Sequence, residues 1–219
     1  MVHGERMERF RSAGLYLVTS QALSGGRTTI DIVTAALAGG VRLVQLREKE
    51  MPLREYVALA QRVRELTAVR GALLVINDRV DVALAVGADG VHLGQDDFPV
   101  TAARAMAPEL IIGASTHSVE EAVRAQAEGA SYVNIGPLYP TGTKQWEGEF
   151  LGIEGMRKMA EHVKVPFSVM GGIKRGHIPE LVMAGARIIA LVTAVTAAPD
   201  PEAATRELLY LIKGSPVEL

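Results

Sequence analysis

Short continuous apolar runs alternate along this chain with longer stretches in which apolar residues return every three or four positions. The first pattern reads as strands buried on both faces, the second as amphipathic helices. The spacing predicts strands over 15–19, 41–46, 72–76, 90–93, 110–114, 130–135, 166–170 and 187–192. Between them it predicts helices from Thr28 or Thr29 to Leu37, then over 52–69, 80–86, 100–106, 119–127, 153–162, 177–183 and 201–213. The punctuation agrees. Pro52, Pro99 and Pro201 stand where a helix begins, and Gly39-Gly40, Gly87, Gly129 and Gly185 where one ends. About eight strand–helix units with no break in composition predict an α/β protein of one domain, a closed (β/α)₈ TIM barrel. An open doubly wound sheet is the alternative, because periodicity does not report closure. The expected layout is a polar N-terminal extension over 1–11, the barrel over 12–214 and a C-terminal tail over 215–219.

Composition narrows the chemistry. The 219 residues are 48% hydrophobic and 22% charged, enough for a sizeable core. A formal net charge of −2 offers no basic field for nucleic acid. Cysteine is absent, which excludes disulfides, thiolate catalysis and zinc–sulfur sites. The most apolar stretch, 188–198, is too short to span a bilayer, and 1–11 has nothing like a signal peptide. The expectation is a soluble cytoplasmic protein with no membrane partner; a homo-oligomer is compatible with it.

In a barrel of this kind the chemistry sits where strands end. Strand two ends in Gln45-Leu46-Arg47-Glu48-Lys49, so Arg47 and Lys49 can face one anion; a solvated charge cluster is the ordinary alternative. Strand three ends in Asn77-Asp78-Arg79, where Asn or Asp is also a common helix cap. Strand four leads to Asp96 and Asp97, either of which could share a hard cation such as magnesium with Asp78. His92 reads as a satisfied wall histidine, Ser115 as a phosphate donor or a cap, and His117 has no identifiable partner.

Strand six opens into Gly136-Pro137-Leu138-Tyr139-Pro140-Thr141-Gly142-Thr143-Lys144. Its backbone N–H groups, two Thr hydroxyls and one ammonium suit a phosphate, although a plain Pro/Gly turn has similar composition. Gly171-Gly172 ends strand seven and Val192-Thr193 ends strand eight, the place where barrels often hold phosphorylated ligands. Two anion sites result: a cationic one with metal carboxylates on strands two to four, and a neutral Gly/Thr one on strands six to eight. No Gly-x-Gly-x-x-Gly turn follows the first strand, which argues against dinucleotides.

With these motifs in order, the chain resembles the thiamine-phosphate synthases, also called thiamine-phosphate pyrophosphorylases. The resemblance runs from Leu15-Tyr16-Leu17-Val18-Thr19 to the last strand. It is carried by Val44 to Lys49, Ile76-Asn77-Asp78-Arg79, Asp89 to Asp97, Gly136-Pro137 with Pro140 to Lys144, and Gly171-Gly172-Ile173. It implies a (β/α)₈ barrel that joins hydroxymethylpyrimidine diphosphate to hydroxyethylthiazole phosphate with magnesium, giving thiamine phosphate and pyrophosphate. Position by position, it implies Gln45, Arg47, Lys49, Asn77, Ser115 and Lys144 on the pyrimidine diphosphate. It implies Asp78 and Asp97 on magnesium, and Thr141, Thr143, Gly172, Val192 and Thr193 on the thiazole phosphate. Arg47, Lys49 and Lys144 would stabilise the departing pyrophosphate in a dissociative substitution.

The chain departs from the family pattern at Thr193, where Ser is usual, and at Arg187-Ile188, where a small pair is usual. The segment 145–150 has no family expectation. Three rivals are weighed: a thiazole tautomerase using His117, a non-catalytic binding protein for thiamine precursors, and an epimerase with metal-bound histidines. The paired carboxylates and Lys144 have little use in the first, and His92 and His117 lack the partners for the last.

Overall fold

The structure, a computed structural model, describes residues 2–142 and 146–214. Helix α1 (His3–Ser12) leads into strand β1 (Leu15–Val18), and the chain then alternates strictly. Helix α2 (Thr29–Ala38) precedes β2 (Leu43–Leu46), α3 (Leu53–Val69) precedes β3 (Leu73–Asn77), and α4 (Val80–Ala85) precedes β4 (Gly90–Leu93). Next come α5 (Val100–Met106), β5 (Ile111–Thr116), α6 (Val119–Ala127) and β6 (Tyr132–Ile135). The last are α7 (Gly152–Ala160), β7 (Phe167–Val169), α8 (Ile178–Met183), β8 (Ile189–Leu191), α9 (Thr193–Thr196) and α10 (Pro201–Lys213). Every strand pairs in parallel with the next, and β8 returns to β1 through Leu15↔Ile189 and Tyr16↔Ala190. The barrel is closed, so the open-sheet alternative falls.

Helix boundaries follow local chemistry. Thr28 caps α2 by accepting the Asp31 N–H, and Asp31 answers on the Thr28 N–H. Ser118 caps α6, and Asp200 caps α10 with Pro201 in its first turn. Gly214, at φ 68°, ends α10 in the left-handed conformation.

Alternation along each strand divides the core in two. One face, with Leu15, Leu17, Val44, Leu46, Leu74 and Ile76, packs under the helices. The other fills the barrel with Tyr16, Val18, Leu43, Leu73, Val75, Ile111 and Tyr132. Gly113 is inward-facing, and a Cβ there would collide with the Tyr132 ring, so glycine makes room for an aromatic across the interior.

The stretch expected as a polar extension folds as α1 and closes the barrel floor. Its two buried apolar residues, Met7 and Phe10, are three apart and share one face. Phe10 is fully buried, its ring 4.3 Å from that of Tyr132 and 6.3 Å from that of Tyr16. Arg6 adds an ion pair to buried Asp89, which also pairs with Arg64 of α3 at 2.8 Å and accepts the Leu74 N–H.

Candidate functional site

A cavity of about 470 Å³ opens at the carboxyl ends of the strands. Its lining includes Gln45, Arg47, Lys49, Asn77, Asp78, Asp97, Ser115, Thr141, Gly172, Val192 and Thr193. Every sequence-derived site residue that falls among the described residues therefore reaches one cavity. Thr143 and Lys144 lie outside the described residues.

On the cationic side, Glu48 does not stand among the cations as a solvated partner. Its carboxylate accepts from Thr19 Oγ1 and Thr29 Oγ1 at 2.8 Å and from the Gln21 N–H at 2.9 Å. That ties the strand-two loop to its neighbours and leaves Arg47 and Lys49 on the cavity side. Lys49 Nζ lies 2.7 Å from Asp78 Oδ2. Asp78 does not cap α4, which has Arg79 at that position and no side-chain cap. It adopts φ 61°, an unfavourable conformation for a residue with a side chain, at the point where β3 meets the cavity. Asp97 is half-buried and accepts the Gly94 N–H at 2.7 Å, while Asp96 is exposed and absent from the lining. Burial raises the Asp97 carboxyl above the ordinary carboxylate range, and hydrogen bonding with the Asp78 carboxyl raises it further. The two carboxylates, within hydrogen-bonding reach of each other, are hard oxygen donors suited to a divalent cation. Among the described residues no group of three or more His, Asp or Glu side chains is placed to hold a metal ion.

The opposite side is built from backbone. Leu138 N–H and Tyr139 N–H donate to the carbonyls of Met170 and Gly171, fastening the loop after β6 to the loop after β7. Gly172, at φ 63°, lies so close that a Cβ would run into the carbonyl oxygens of Tyr139 and Pro140. The short α9 follows β8 directly, the extra helix that phosphate-binding barrels carry at this place. Lys174 also lines the cavity here, so this side is not neutral as the sequence implied. Lys174 is missed because it stands in a turn beyond the glycines rather than at a strand end. His117 donates Nδ1–H to the Gly136 carbonyl at 2.5 Å, and its ring stacks obliquely on Trp146 at 4.5 Å.

Below the cavity floor a row of polar side chains crosses the barrel. Gln45 Nε2 donates to Tyr16 Oη at 2.8 Å, which lies 2.9 Å from Tyr132 Oη. Tyr132 Oη is 2.8 Å from His92 Nδ1, and His92 Nε2 is 2.9 Å from Ser115 Oγ. Ser115 is thus no helix cap; Ser118 has that role. Burial raises both phenols, so they stay protonated. Burial pushes the His92 imidazole down to about 4, with Asp97 pulling the other way.

That depression has a sign. Between pH about 6.5 and 4 the unfolded chain binds a proton at His92 that the folded chain resists. The stability is whole above pH 6.5 and is lost as pH falls toward 4, by about 3 kcal/mol at full effect. Urea unfolding at pH 7 and pH 4 is expected to show His92→Gln losing about 3 kcal/mol less than the parent. Equal losses in both would mean that folding does not hold His92 neutral.

The family model for thiamine monophosphate synthase matches residues 15–195. A thiamine-phosphate synthase of Moorella thermoacetica is 44% identical over 199 residues, covering 90% of this chain and 95% of the relative. One of Chloroflexus aurantiacus is 43% identical over 198 residues, covering 90% and 92%. The solved thiamine phosphate pyrophosphorylase of Pyrococcus furiosus superposes with TM-score 0.86 at 40% identity, covering 94% of this chain and 98% of that one. A 3-hexulose-6-phosphate synthase, at 21% identity and TM-score 0.67, shares the barrel alone. The chain belongs to the thiamine monophosphate synthase family, a family of transferases of thiamine biosynthesis.

Proposed function

We propose that this chain condenses hydroxymethylpyrimidine diphosphate with hydroxyethylthiazole phosphate, releasing pyrophosphate and forming thiamine phosphate. The observation that carries the proposal is one cavity with two unlike walls. Arg47, Lys49 and the Asp78–Asp97 pair stand on one wall, and Gly172, Val192 and Thr193 on the other. Two phosphorylated substrates need such a division, with their reacting carbon and nitrogen meeting between the walls.

The methylene carbon of the pyrimidine loses its C–O bond, and the electron pair leaves with pyrophosphate. The electron-rich aminopyrimidine spreads the positive charge left behind. The thiazole nitrogen then gives its lone pair to that carbon, and since it carries no proton, no general base is required. Arg47 and Lys49 stabilise charge gathering on the leaving group, and Asn77 and Ser115 orient it. Lys144 lies outside the described residues, and the family pattern assigns it to the same diphosphate. Thr141, Thr143, Gly172, Val192 and Thr193 hold the thiazole phosphate.

Asp78 and Asp97 fit magnesium: both are hard oxygen donors, and burial, then the approach of Asp78, raises the Asp97 carboxyl, which a bound cation would lower again. Bound there, magnesium would neutralise the diphosphate. Thiamine phosphate formation, followed by mass spectrometry, is expected to stop with excess EDTA and return when magnesium exceeds the chelator. Undiminished formation in EDTA would remove the metal from the proposal. A proton-transfer isomerase acting through His117 is the second reading, since that ring lines the cavity. Its Nδ1–H is already committed to Gly136, and the carboxylate pair would have no task.

A further inference from the structure

The polar row across the barrel has a direction, and both of its ends enter the cavity. Start at Gln45, whose side chain is buried and whose Nε2 meets Tyr16 Oη. An amide nitrogen only donates, so Tyr16 must accept. Its own O–H then has Tyr132 Oη as its one partner in the row, at 2.9 Å. Tyr132 has accepted, so its O–H turns to His92 Nδ1 at 2.8 Å. That nitrogen must be bare, which leaves the proton of the neutral ring on Nε2, donating to Ser115 Oγ at 2.9 Å. Ser115 has accepted, and its hydroxyl hydrogen is left for the cavity. At the other end, the Gln45 oxygen is left to accept.

Turning the Gln45 amide over reverses every bond. Tyr16 would donate to Gln45, Tyr132 to Tyr16, His92 Nδ1–H to Tyr132, and Ser115 to His92. The cavity would then meet a donor at Gln45 and only lone pairs at Ser115.

We propose that Tyr16, Tyr132 and His92 are positioning residues of a one-way hydrogen-bond chain that sets substrate specificity by tying an acceptor at Gln45 to a donor at Ser115. The inference rests on the function proposed above, which puts the aminopyrimidine and its diphosphate in this cavity. A 4-amino group donates to Gln45, and a phosphate oxygen accepts from Ser115, so one polarity serves both ends. A 4-oxo ring would need a donor at Gln45; supplying it reverses the row and withdraws the hydroxyl from the diphosphate. The penalty for the wrong ring is therefore felt at both ends of the ligand.

Two measurements test this. The first is ¹⁵N NMR of the histidines in the unliganded protein, with His92 assigned through His92→Gln. His92 is expected as the neutral tautomer protonated at Nε2, and a proton on Nδ1 overturns the chain. The second compares dissociation constants of the 4-amino and 4-oxo pyrimidine methyl diphosphates with magnesium and no thiazole phosphate, so that no condensation intervenes. The parent should favour the amino compound by a hundredfold or more. Tyr132→Phe removes only the central hydroxyl and frees the two halves to turn separately. In a Tyr132→Phe protein whose unfolding remains cooperative, the preference should fall at least tenfold, mainly through tighter binding of the oxo compound. An unchanged preference overturns the proposal. If Tyr132→Phe does not fold, the tautomer in the parent still decides. If the parent binds neither diphosphate, the functional reading falls and this inference with it. If it binds and turns over the amino compound while His92 carries its proton on Nδ1, the inference alone falls.

Discussion

Asp97→Ala is expected to lower thiamine phosphate formation by about a hundredfold to a thousandfold, the cost of removing one preorganised charge-stabilising group. The melting temperature should move by only a few degrees. The carboxylate is half-buried and accepts the Gly94 N–H, so its loss leaves that donor unpaired. The change also removes a carboxylate crowded against Asp78, which offsets that loss. Asp96→Ala is the matched control, because Asp96 is exposed on the same loop and absent from the cavity lining. It should retain nearly full turnover. Near-parental turnover in Asp97→Ala, measured with saturating magnesium, would contradict the assignment of this carboxylate to the metal.

Phe10→Ala carries the largest expected loss of stability. The ring is fully buried at the barrel floor, packed against Tyr132 and Tyr16. Emptying it should cost about 3–5 kcal/mol, as for other buried Phe→Ala changes. In a domain of this size that corresponds to a fall in melting temperature of roughly 6–20 °C. Calorimetry on the full chain checks it. A loss below about 1 kcal/mol would mean that α1 is not docked in solution, since exposed substitutions fall in that range.

The contrast between these residues shows what could be read in advance. Asp78, Asp97, Arg47 and Lys49 were legible because a barrel delivers strand ends to one rim, so polar residues closing apolar runs must gather there. Choosing Asp97 over Asp96 came from the family resemblance; the half-buried position and the Gly94 contact are its physical counterpart. Phe10 was not legible. In His3–Ser12 only Met7 and Phe10 are buried, too few apolar positions to outweigh a polar, charged stretch. The strands themselves were recovered to within a residue or two, since burial on both faces leaves few polar interruptions.

The hydrogen-bonded row was invisible for another reason. Tyr16 and Tyr132 sit inside apolar runs, where they look like core, and they meet across 116 residues of chain. His92 was expected as a satisfied wall residue, and both of its nitrogens are bonded. Its partners could not be named without barrel closure. Trp146 against His117 and Lys174 on the cavity wall are similar cases: each follows from how loops fold over the rim, which periodicity does not encode.

The most direct test of the central claim is the stoichiometry of pyrophosphate against thiamine phosphate in a reaction with hydroxymethylpyrimidine diphosphate, hydroxyethylthiazole phosphate and magnesium, omitting each in turn. The expected result is equal amounts of both products in the complete mixture and neither when any component is missing. Tight binding of both substrates with no pyrophosphate released from the complete mixture would contradict the synthase assignment.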